Sequence, residues 1–385
     1  MSTQFHAKTL KGLENILADE LREIGASEVT PVNRGVNFSG SVAILYKANL
    51  YLRTALRILL PVLKFKASNE EQVYRNIMRM DWSQYMSYKS SFSIDVVSFS
   101  NTFRNSHYLE LKVKDAIVDQ FRNKTSLRPS VDKKNAEIRI NIHVQETFFT
   151  VSLDSSGESL HKRGYKKENH TASLSEVLAA GMILLTGWKG EGPLVNPMCG
   201  SGTIAIEAAM IAMGIYPGIT GRSYAFQNWP DYDSLLFERI LENMPDIKKQ
   251  KLEVIASDID PEAIRISKTN ARQLGLEKEI KFQVGDFLKS PQLDKEAMLL
   301  MNPPYGERLA VDDIKELYTG IGTSLKHNYP GSEAWILTAN MEAGKFVGLK
   351  PDRKIVLFNA GLECRFMKYT LFKGKRREFK EIQSA

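Results

Sequence analysis

The residues best suited to do chemistry in this chain are the run Asn302-Pro303-Pro304-Tyr305-Gly306. Two successive prolines lack backbone donors and stiffen a turn, which keeps the Pro303 carbonyl out of any strand ladder. The Asn302 side-chain oxygen and that carbonyl can then both accept protons from one amine, and Tyr305 offers a flat face to a planar base. An exocyclic base amine is a poor nucleophile because its lone pair is delocalised into the ring. Two acceptors on its protons favour the pyramidal geometry needed to attack an electrophilic methyl group. Asn302, Pro303 and Tyr305 are therefore the catalytic candidates, set against the plainer reading of a rigid proline turn.

Three upstream features supply what such a reaction lacks. Gly200-Ser201-Gly202-Thr203 follows the short apolar stretch Leu194-Val195 and precedes an Ala-, Ile- and Met-rich helix. Glycine there lets backbone N–H groups approach a ligand at the carboxyl end of a strand. Asp258, in Ala256-Ser257-Asp258-Ile259-Asp260-Pro261, is placed to accept both hydroxyl protons of a ribose. Asp260 reads as a helix cap before Pro261. Asp286 can accept from an adenine amine, with Ile259 and Phe287 sandwiching the ring.

The elements that must position these groups follow from hydrophobic periodicity. Strands are expected at Leu252–Ser257, Ile280–Val284, Ala297–Met301 and Ala334–Thr338, with helices between them. Lys354–Asn359 and Glu363–Phe372 should pair as an antiparallel hairpin. Strands separated by helical crossovers imply an α/β, mostly parallel, doubly wound sheet.

The earlier part reads as two α+β modules. In the first, a strand at Phe5–Ala7 and a helix over Leu10–Ile24 precede strands at Val29–Val32 and Val36–Phe38, and a second helix covers Ser41–Leu59 before Pro61. In the second, helices Glu70–Met78 and Leu109–Arg122 alternate with strands Phe92–Phe99, Ile138–Val144 and Phe148–Leu153. Lys112, Lys114, Arg122, Lys124, Arg128, Lys133, Lys134 and Arg139 give it cations able to hold phosphates without reading sequence. A basic stretch then runs to His170. Its Lys162, Arg163, Tyr165 and Lys166 combine cations with an aromatic face, a mixture suited to RNA.

Composition narrows the classes. The 385 residues are 43% hydrophobic and 25% charged, ordinary for a globular protein. No apolar run approaches the ~18 residues that span a bilayer, and Met1–Asn15 lacks a signal-peptide core, so a cytoplasmic protein without a membrane partner is expected. Cys199 and Cys364 are the only cysteines, and the six histidines show no close ligand pairing, so no metal is expected. The net charge of +7 is not spread evenly: up to His170 there are 25 Lys+Arg against 18 Asp+Glu, and from Thr171 onward 27 of each. A basic part joined to a neutral part suggests that one binds a polyanion while the other does the chemistry.

Taken in order, the glycine turn, the two acids and Asn302–Tyr305 resemble a class I S-adenosylmethionine-dependent methyltransferase acting on amino groups. The runs Asp154-Ser155-Ser156-Gly157-Glu158-Ser159-Leu160-His161-Lys162-Arg163-Gly164-Tyr165 and Asn196-Pro197-Met198-Cys199-Gly200-Ser201-Gly202-Thr203 are similar to THUMP-domain RNA methyltransferases. In particular the chain resembles the ribosomal RNA guanine-N2 methyltransferases related to the bacterial large-subunit enzyme. That resemblance implies a ferredoxin-like region over 1–65, a THUMP RNA-binding domain over 66–158, a linker over 159–172, and a Rossmann-like domain with a seven-stranded sheet over 173–385. It further implies that Asn196 and Gly200–Thr203 hold the methionine end of S-adenosylmethionine, that Asp258 holds the ribose and that Asp286 holds the adenine.

Members often carry Asp where this chain has Asn196, and an amide keeps an acceptor while losing the charge that attracts the cofactor's ammonium. The expected reaction is methyl transfer to a guanine N2 amine in structured RNA, 23S ribosomal RNA before transfer RNA. The alternatives are a methyltransferase acting on DNA adenine or protein glutamine, a non-catalytic RNA-binding protein and a dinucleotide oxidoreductase. The last expects its ribose acid ~20 residues after the glycines, much nearer than Asp258.

Overall fold

A computed structural model describes residues 2–168, 174–248, 251–304 and 311–373. The elements up to Asp154 are β1 (Thr3–Lys8), α1 (Glu14–Glu23), β2 (Ser27–Val32), β3 (Gly35–Gly40), α2 (Val42–Tyr51), β4 (Arg57–Lys66), α3 (Glu70–Arg79), β5 (Ser91–Phe99), α4 (Ser106–Thr125), β6 (Ser130–Val131), β7 (Ile138–Gln145) and β8 (Phe148–Asp154). They are followed by α5 (Glu176–Thr186), β9 (Leu194–Pro197), α6 (Thr203–Ala212), α7 (Ser234–Glu242), β10 (Val254–Asp258), α8 (Pro261–Arg272), β11 (Ile280–Val284) and β12 (Met298–Met301). The chain then forms α9 (Val311–Asn328), β13 (Glu333–Thr338), α10 (Met341–Lys345), β14 (Arg353–Asn359) and β15 (Leu362–Thr370).

These elements form two compact units. The first takes the described residues of Met1–Thr9, Leu17–Leu160 and Gly221–Met244; the second takes those of Leu10–Ile16, His161–Thr220 and Pro245–Ala385.

The first unit is an eight-stranded sheet in the order β2-β3-β1-β4-β8-β7-β5-β6. The helix expected over Ser41–Leu59 ends at Tyr51, and Arg57–Lys66 is a strand running through Pro61. Proline survives there because the β4–β8 register slips between Pro61 and Leu63, so the missing N–H falls at an irregularity in the ladder. Trp82, Phe92, Phe103 and Phe149 are buried between the sheet and its helices.

Segment Gly221–Met244, which follows α6 in sequence, belongs to this first unit rather than to the one that precedes it. Its aromatic residues explain why: Phe226 stacks on Tyr46 with ring centroids 4.5 Å apart, and Tyr224 stacks on Phe226 at 5.3 Å. Phe226 N–H also donates to the Ser155 carbonyl at 3.1 Å.

The second unit is a seven-stranded sheet in the order β11-β10-β9-β12-β13-β15-β14. From β11 to β13 neighbouring strands are parallel, and β15 and β14 close the sheet as an antiparallel hairpin. The order reverses at β9, whose two neighbours are β10 and β12. In a doubly wound sheet that reversal opens a crevice at the carboxyl ends of the central strands. The glycine turn, Asp258, Asp286 and Asn302 all lie at those ends.

Candidate active site

The turn from β9 into α6 is bound to its neighbours at nearly every residue. Cys199 N–H donates to the Ser257 carbonyl at 3.0 Å, Gly202 N–H to the Cys199 carbonyl at 2.9 Å, and Gly200 N–H to Asp258 Oδ2 at 2.9 Å. Gly202 has φ +79°, and a Cβ there would lie 2.9 Å from the Ser267 side chain, so glycine is required both for the backbone and for the packing. Gly200, at φ +55°, faces open space instead: an added Cβ would meet nothing within 4 Å.

Two residues of α8 that the motif reading missed complete the brace. Ser267 Oγ donates to the Gly200 carbonyl at 2.7 Å, and Asn270 Nδ2 to the Ser201 carbonyl at 3.2 Å. Their signal in the sequence was weak, because small polar residues on an amphipathic helix usually face water.

Asp258 ends β10 and ties two loops together. Its Oδ2 accepts from Gly200 and its Oδ1 from Asp260 N–H at 3.1 Å. A carboxylate offers about four acceptor positions. Two are spent on backbone, which leaves capacity for a pair of hydroxyls. Asp260 accepts from Glu262 N–H at 2.9 Å, the helix cap its position before Pro261 implied.

Asp286 Oδ1 accepts from Leu288 N–H at 2.9 Å, and Lys289 Nζ lies 3.6 Å from its Oδ2. The adenine sandwich expected of Ile259 and Phe287 lacks the Phe287 ring. Ile259 is 68% exposed, whereas Phe287 is 5% exposed and stacks on Tyr329 with ring centroids 5.7 Å apart. The Phe287 ring serves the core, since burying an aromatic there excludes far more apolar surface than a loop ligand would.

Asn196 and Asn302 stand out by what they lack. Asn196, 0% exposed on β9, donates through Nδ2 to the Leu300 carbonyl of β12 at 2.8 Å, while its Oδ1 is buried without a hydrogen-bond partner. Asn302 Oδ1, just beyond β12, is likewise buried and unpartnered, and Pro303 behind it is buried. An unsatisfied buried acceptor costs roughly 1–3 kcal/mol. Two of them at the carboxyl ends of adjacent strands fit a site whose donors arrive with its ligands. Tyr305 lies outside the described residues.

The RNA-contacting role expected of Arg163, Tyr165 and Lys166 is not what their positions allow. Arg163 Nη1 donates to Glu207 Oε2 at 2.6 Å, and Tyr165 OH to Glu207 Oε1 at 2.8 Å, all three side chains being buried. Burial, reinforced by the Glu207 charge, pushes the Tyr165 hydroxyl well above its ordinary range, so it stays a donor. Lys166 Nζ donates to the Leu174 carbonyl at 2.6 Å and lies 3.4 Å from Glu176.

Asn270 Oδ1 receives Lys167 N–H at 3.1 Å, so one α8 side chain holds both this segment and the glycine turn. The signal for this was present: Glu207 is a lone charge in the apolar helix Thr203–Ala212, and a buried charge needs a partner. Of the four residues, Lys162 is the one at the surface.

The motif Asp154-Ser155-Ser156-Gly157 is also internal. Ser155 Oγ donates to the Ile58 carbonyl at 2.8 Å, Ser156 Oγ to Asn49 Oδ1 at 2.7 Å, and Arg57 pairs with Asp154. Among the described residues no group of three or more His, Cys, Asp and Glu side chains is arranged to hold a metal ion, and no helix is long and apolar enough to cross a membrane.

Residues 163–368 match the family described as the RMKL-like methyltransferase domain. The chain belongs to that family. Residues 67–154 match the THUMP domain and residues 4–59 the RlmL ferredoxin-like domain.

Among curated proteins, a putative RNA methyltransferase of Synechocystis is 37% identical over 371 residues, which cover 96% of this chain and 97% of that one. The ribosomal RNA large subunit methyltransferase K/L of Syntrophotalea carbinolica is 36% identical over 381 residues, 96% of this chain and 53% of that one. The chain thus spans about half the length of the K/L relatives it matches.

Among solved structures, a putative methyltransferase complexed with SAH superposes with a TM-score of 0.87 at 30% identity, covering 97% of this chain and 99% of that one. A possible methylase of Clostridium difficile superposes with the same score at 31% identity, covering 98% of this chain and 100% of that one. The second unit is therefore the sheet of a methyltransferase family.

Proposed function

We propose that this protein is an S-adenosylmethionine-dependent RNA methyltransferase that modifies the exocyclic N2 amine of a guanine in large-subunit ribosomal RNA. The observation that carries the reading is the buried, unpartnered Asn302 Oδ1 beside Pro303, one strand away from the buried, unpartnered Asn196 Oδ1. One acceptor is left for an amine and the other for a cationic group.

When bound, S-adenosylmethionine supplies an electrophilic methyl. The chain's own residues do the positioning. Gly200 leaves open space beside the turn for the methionine end, Asn196 Oδ1 accepts from the ammonium, and Asp258 accepts from the ribose hydroxyls. Asp286 accepts from the adenine amine. Asn302 Oδ1 and the Pro303 carbonyl accept hydrogen bonds from the two N–H groups of the target amine, which localises its lone pair, and Tyr305 stacks on the base. The methylated nitrogen then releases one proton to water. Holding two reactants in line is worth ~7–11 kcal/mol of barrier at best, so no covalent enzyme intermediate is needed.

The ribosomal substrate is supported by the K/L relatives at 36% identity, and RNA by the THUMP match together with the basic charge before His170. An adenine amine fits the same two acceptors, and a related solved structure at 28% identity is described as a predicted N6-adenine-specific DNA methylase. Incubation of the protein and radiolabelled cofactor with unmodified large-subunit RNA, transfer RNA and duplex DNA, followed by nucleoside mass spectrometry, separates these readings. Labelled N2-methylguanine from ribosomal RNA is expected, with none from Asn302→Ala. Label in another polymer or another base would replace the assignment.

A further inference from the structure

The first unit presents one sheet face that its core does not use. Four consecutive strands, β4, β8, β7 and β5, are in a register that sets their outward side chains in rows. Lys66 faces Phe148, Phe148 faces Gln145, and Gln145 faces Phe99; one row further in, Lys64, Thr150, His143 and Val97 are matched in the same way. The alternate residues Val144, Phe149, Val151 and Ile142 point into the core.

The row carries two aromatic rings that the fold leaves in water. Phe99 is 62% exposed and Phe148 is 56% exposed. Neighbouring strands lie ~4.8 Å apart, so the two rings stand roughly 10 Å apart on either side of Gln145. Lys66 Nζ sits 4.5 Å from the Phe148 ring centroid, and the His143 ring lies 5.7 Å from that of Phe99. Lys8 Nζ reaches the same face and donates to Asn141 Oδ1 at 3.0 Å. Asp95, in the following row, is an exposed carboxylate on this face, and Glu146 in the β7–β8 turn lies 3.4 Å from Asn101 N–H.

We infer that this face, centred on Phe99 and Phe148, is a second nucleic-acid site that stacks unpaired bases of RNA, separate from the crevice that receives the target amine. Every base has a π-face, and an exposed ring on a rigid sheet offers it a stacking partner at little entropic cost. Lys64 and Lys66 supply cations for the adjoining phosphates, while Gln145 and His143 supply hydrogen-bonding groups for base edges. Lys64 and Lys66 beside the Phe148 ring select a polyanion over an apolar protein partner. Separated rings on a flat sheet select single strands over a duplex, whose bases already stack on one another.

This inference rests on the RNA reading above and adds the feature of RNA that the first unit engages. The test uses the full chain and a fluorescent oligoadenylate of about 12 nucleotides, within the range one stacking module covers, beside its duplex with oligouridylate. The double variant Phe99→Ala, Phe148→Ala should bind the single strand about tenfold or more weakly, at ~1–3 kcal/mol per stacked base. Its duplex affinity and its thermal midpoint should be unchanged, and Phe→Tyr at both positions should restore binding.

Equal loss on both probes, no loss on either, or a wild-type dimer that the double variant dissolves would each overturn the site. Methyl transfer to ribosomal RNA is assayed in parallel. Phenylalanine-dependent binding without methyl transfer leaves the site standing and removes the proposed reaction. Methyl transfer with binding indifferent to the phenylalanines does the reverse.

Discussion

Arg163 and Glu207 form an ion pair at 2.6 Å with side-chain exposures of 1% and 0%. Glu207 lies one turn into α6, the helix that the glycine turn opens, and it also receives the Tyr165 hydroxyl. The segment after Leu160 is therefore pinned to the helix that follows the glycine turn. A buried pair is weak evidence of net stability, but removing one partner strands the other charge in the core.

The first prediction concerns that asymmetry. Glu207→Ala should lower unfolding free energy by about 3–5 kcal/mol, read by urea denaturation. Arg163→Met with Glu207→Leu should recover most of the loss. If Glu207→Ala unfolds at the wild-type urea concentration, the pair is not what holds this segment.

Asp258 yields a prediction about affinity. Its carboxylate both fixes the turn through Gly200 N–H and retains acceptors for a ribose. A hydrogen bond to a charged group is worth ~1.5–3 kcal/mol, so Asp258→Ala should weaken S-adenosylhomocysteine binding about tenfold to a hundredfold by calorimetry. Binding of single-stranded RNA to the first unit should not change. Unaltered cofactor affinity would remove Asp258 from the site.

Where these groups stand was legible in the sequence to the extent that strand ends are. Asp258 and Asn302 each follow an apolar run short enough to be a buried strand, and crossover helices set those ends on one edge of the sheet. Phe287 failed because its neighbour Asp286 was read for chemistry while the ring's partner, Tyr329, lies far along the chain just after α9. Arg163, Tyr165 and Lys166 failed for a related reason. Local sequence shows cations beside an aromatic residue in a polar stretch, whereas Glu207 and Glu176, which bury them, lie on later helices.

Segment Gly221–Met244 was illegible altogether. Its membership in the first unit depends on stacking against Tyr46, a contact across nearly half of the chain.

Cys199 gives a prediction about reactivity. It lies in the turn between β9 and α6, where a thiolate would be a competing nucleophile, but burial pushes its thiol up to about 12. The thiolate is the reactive form, and at neutral pH almost none is present. Cys199→Ala should therefore retain methyl transfer, and iodoacetamide at neutral pH should label the native protein at Cys199 far more slowly than the urea-unfolded chain. Rapid native labelling at Cys199, mapped by peptide mass spectrometry, would contradict this.

The last prediction concerns Asn196, whose buried Oδ1 awaits a donor while its Nδ2 already serves the Leu300 carbonyl at 2.8 Å. Asn196→Asp exchanges that donor for a second acceptor and sets two oxygens against each other in a fully buried place. The free protein should lose ~1–3 kcal/mol, the cost of an unmet buried polar group, and its thermal midpoint should fall. The cofactor's ammonium reverses the balance, because it meets a carboxylate instead of an amide. Saturating S-adenosylmethionine should therefore raise the midpoint of Asn196→Asp by more than it raises that of the wild type. Burial favours the protonated acid, so this excess should grow as pH rises and the carboxylate ionises. An excess that is absent, or that shrinks with rising pH, would show that the ammonium does not sit at Asn196.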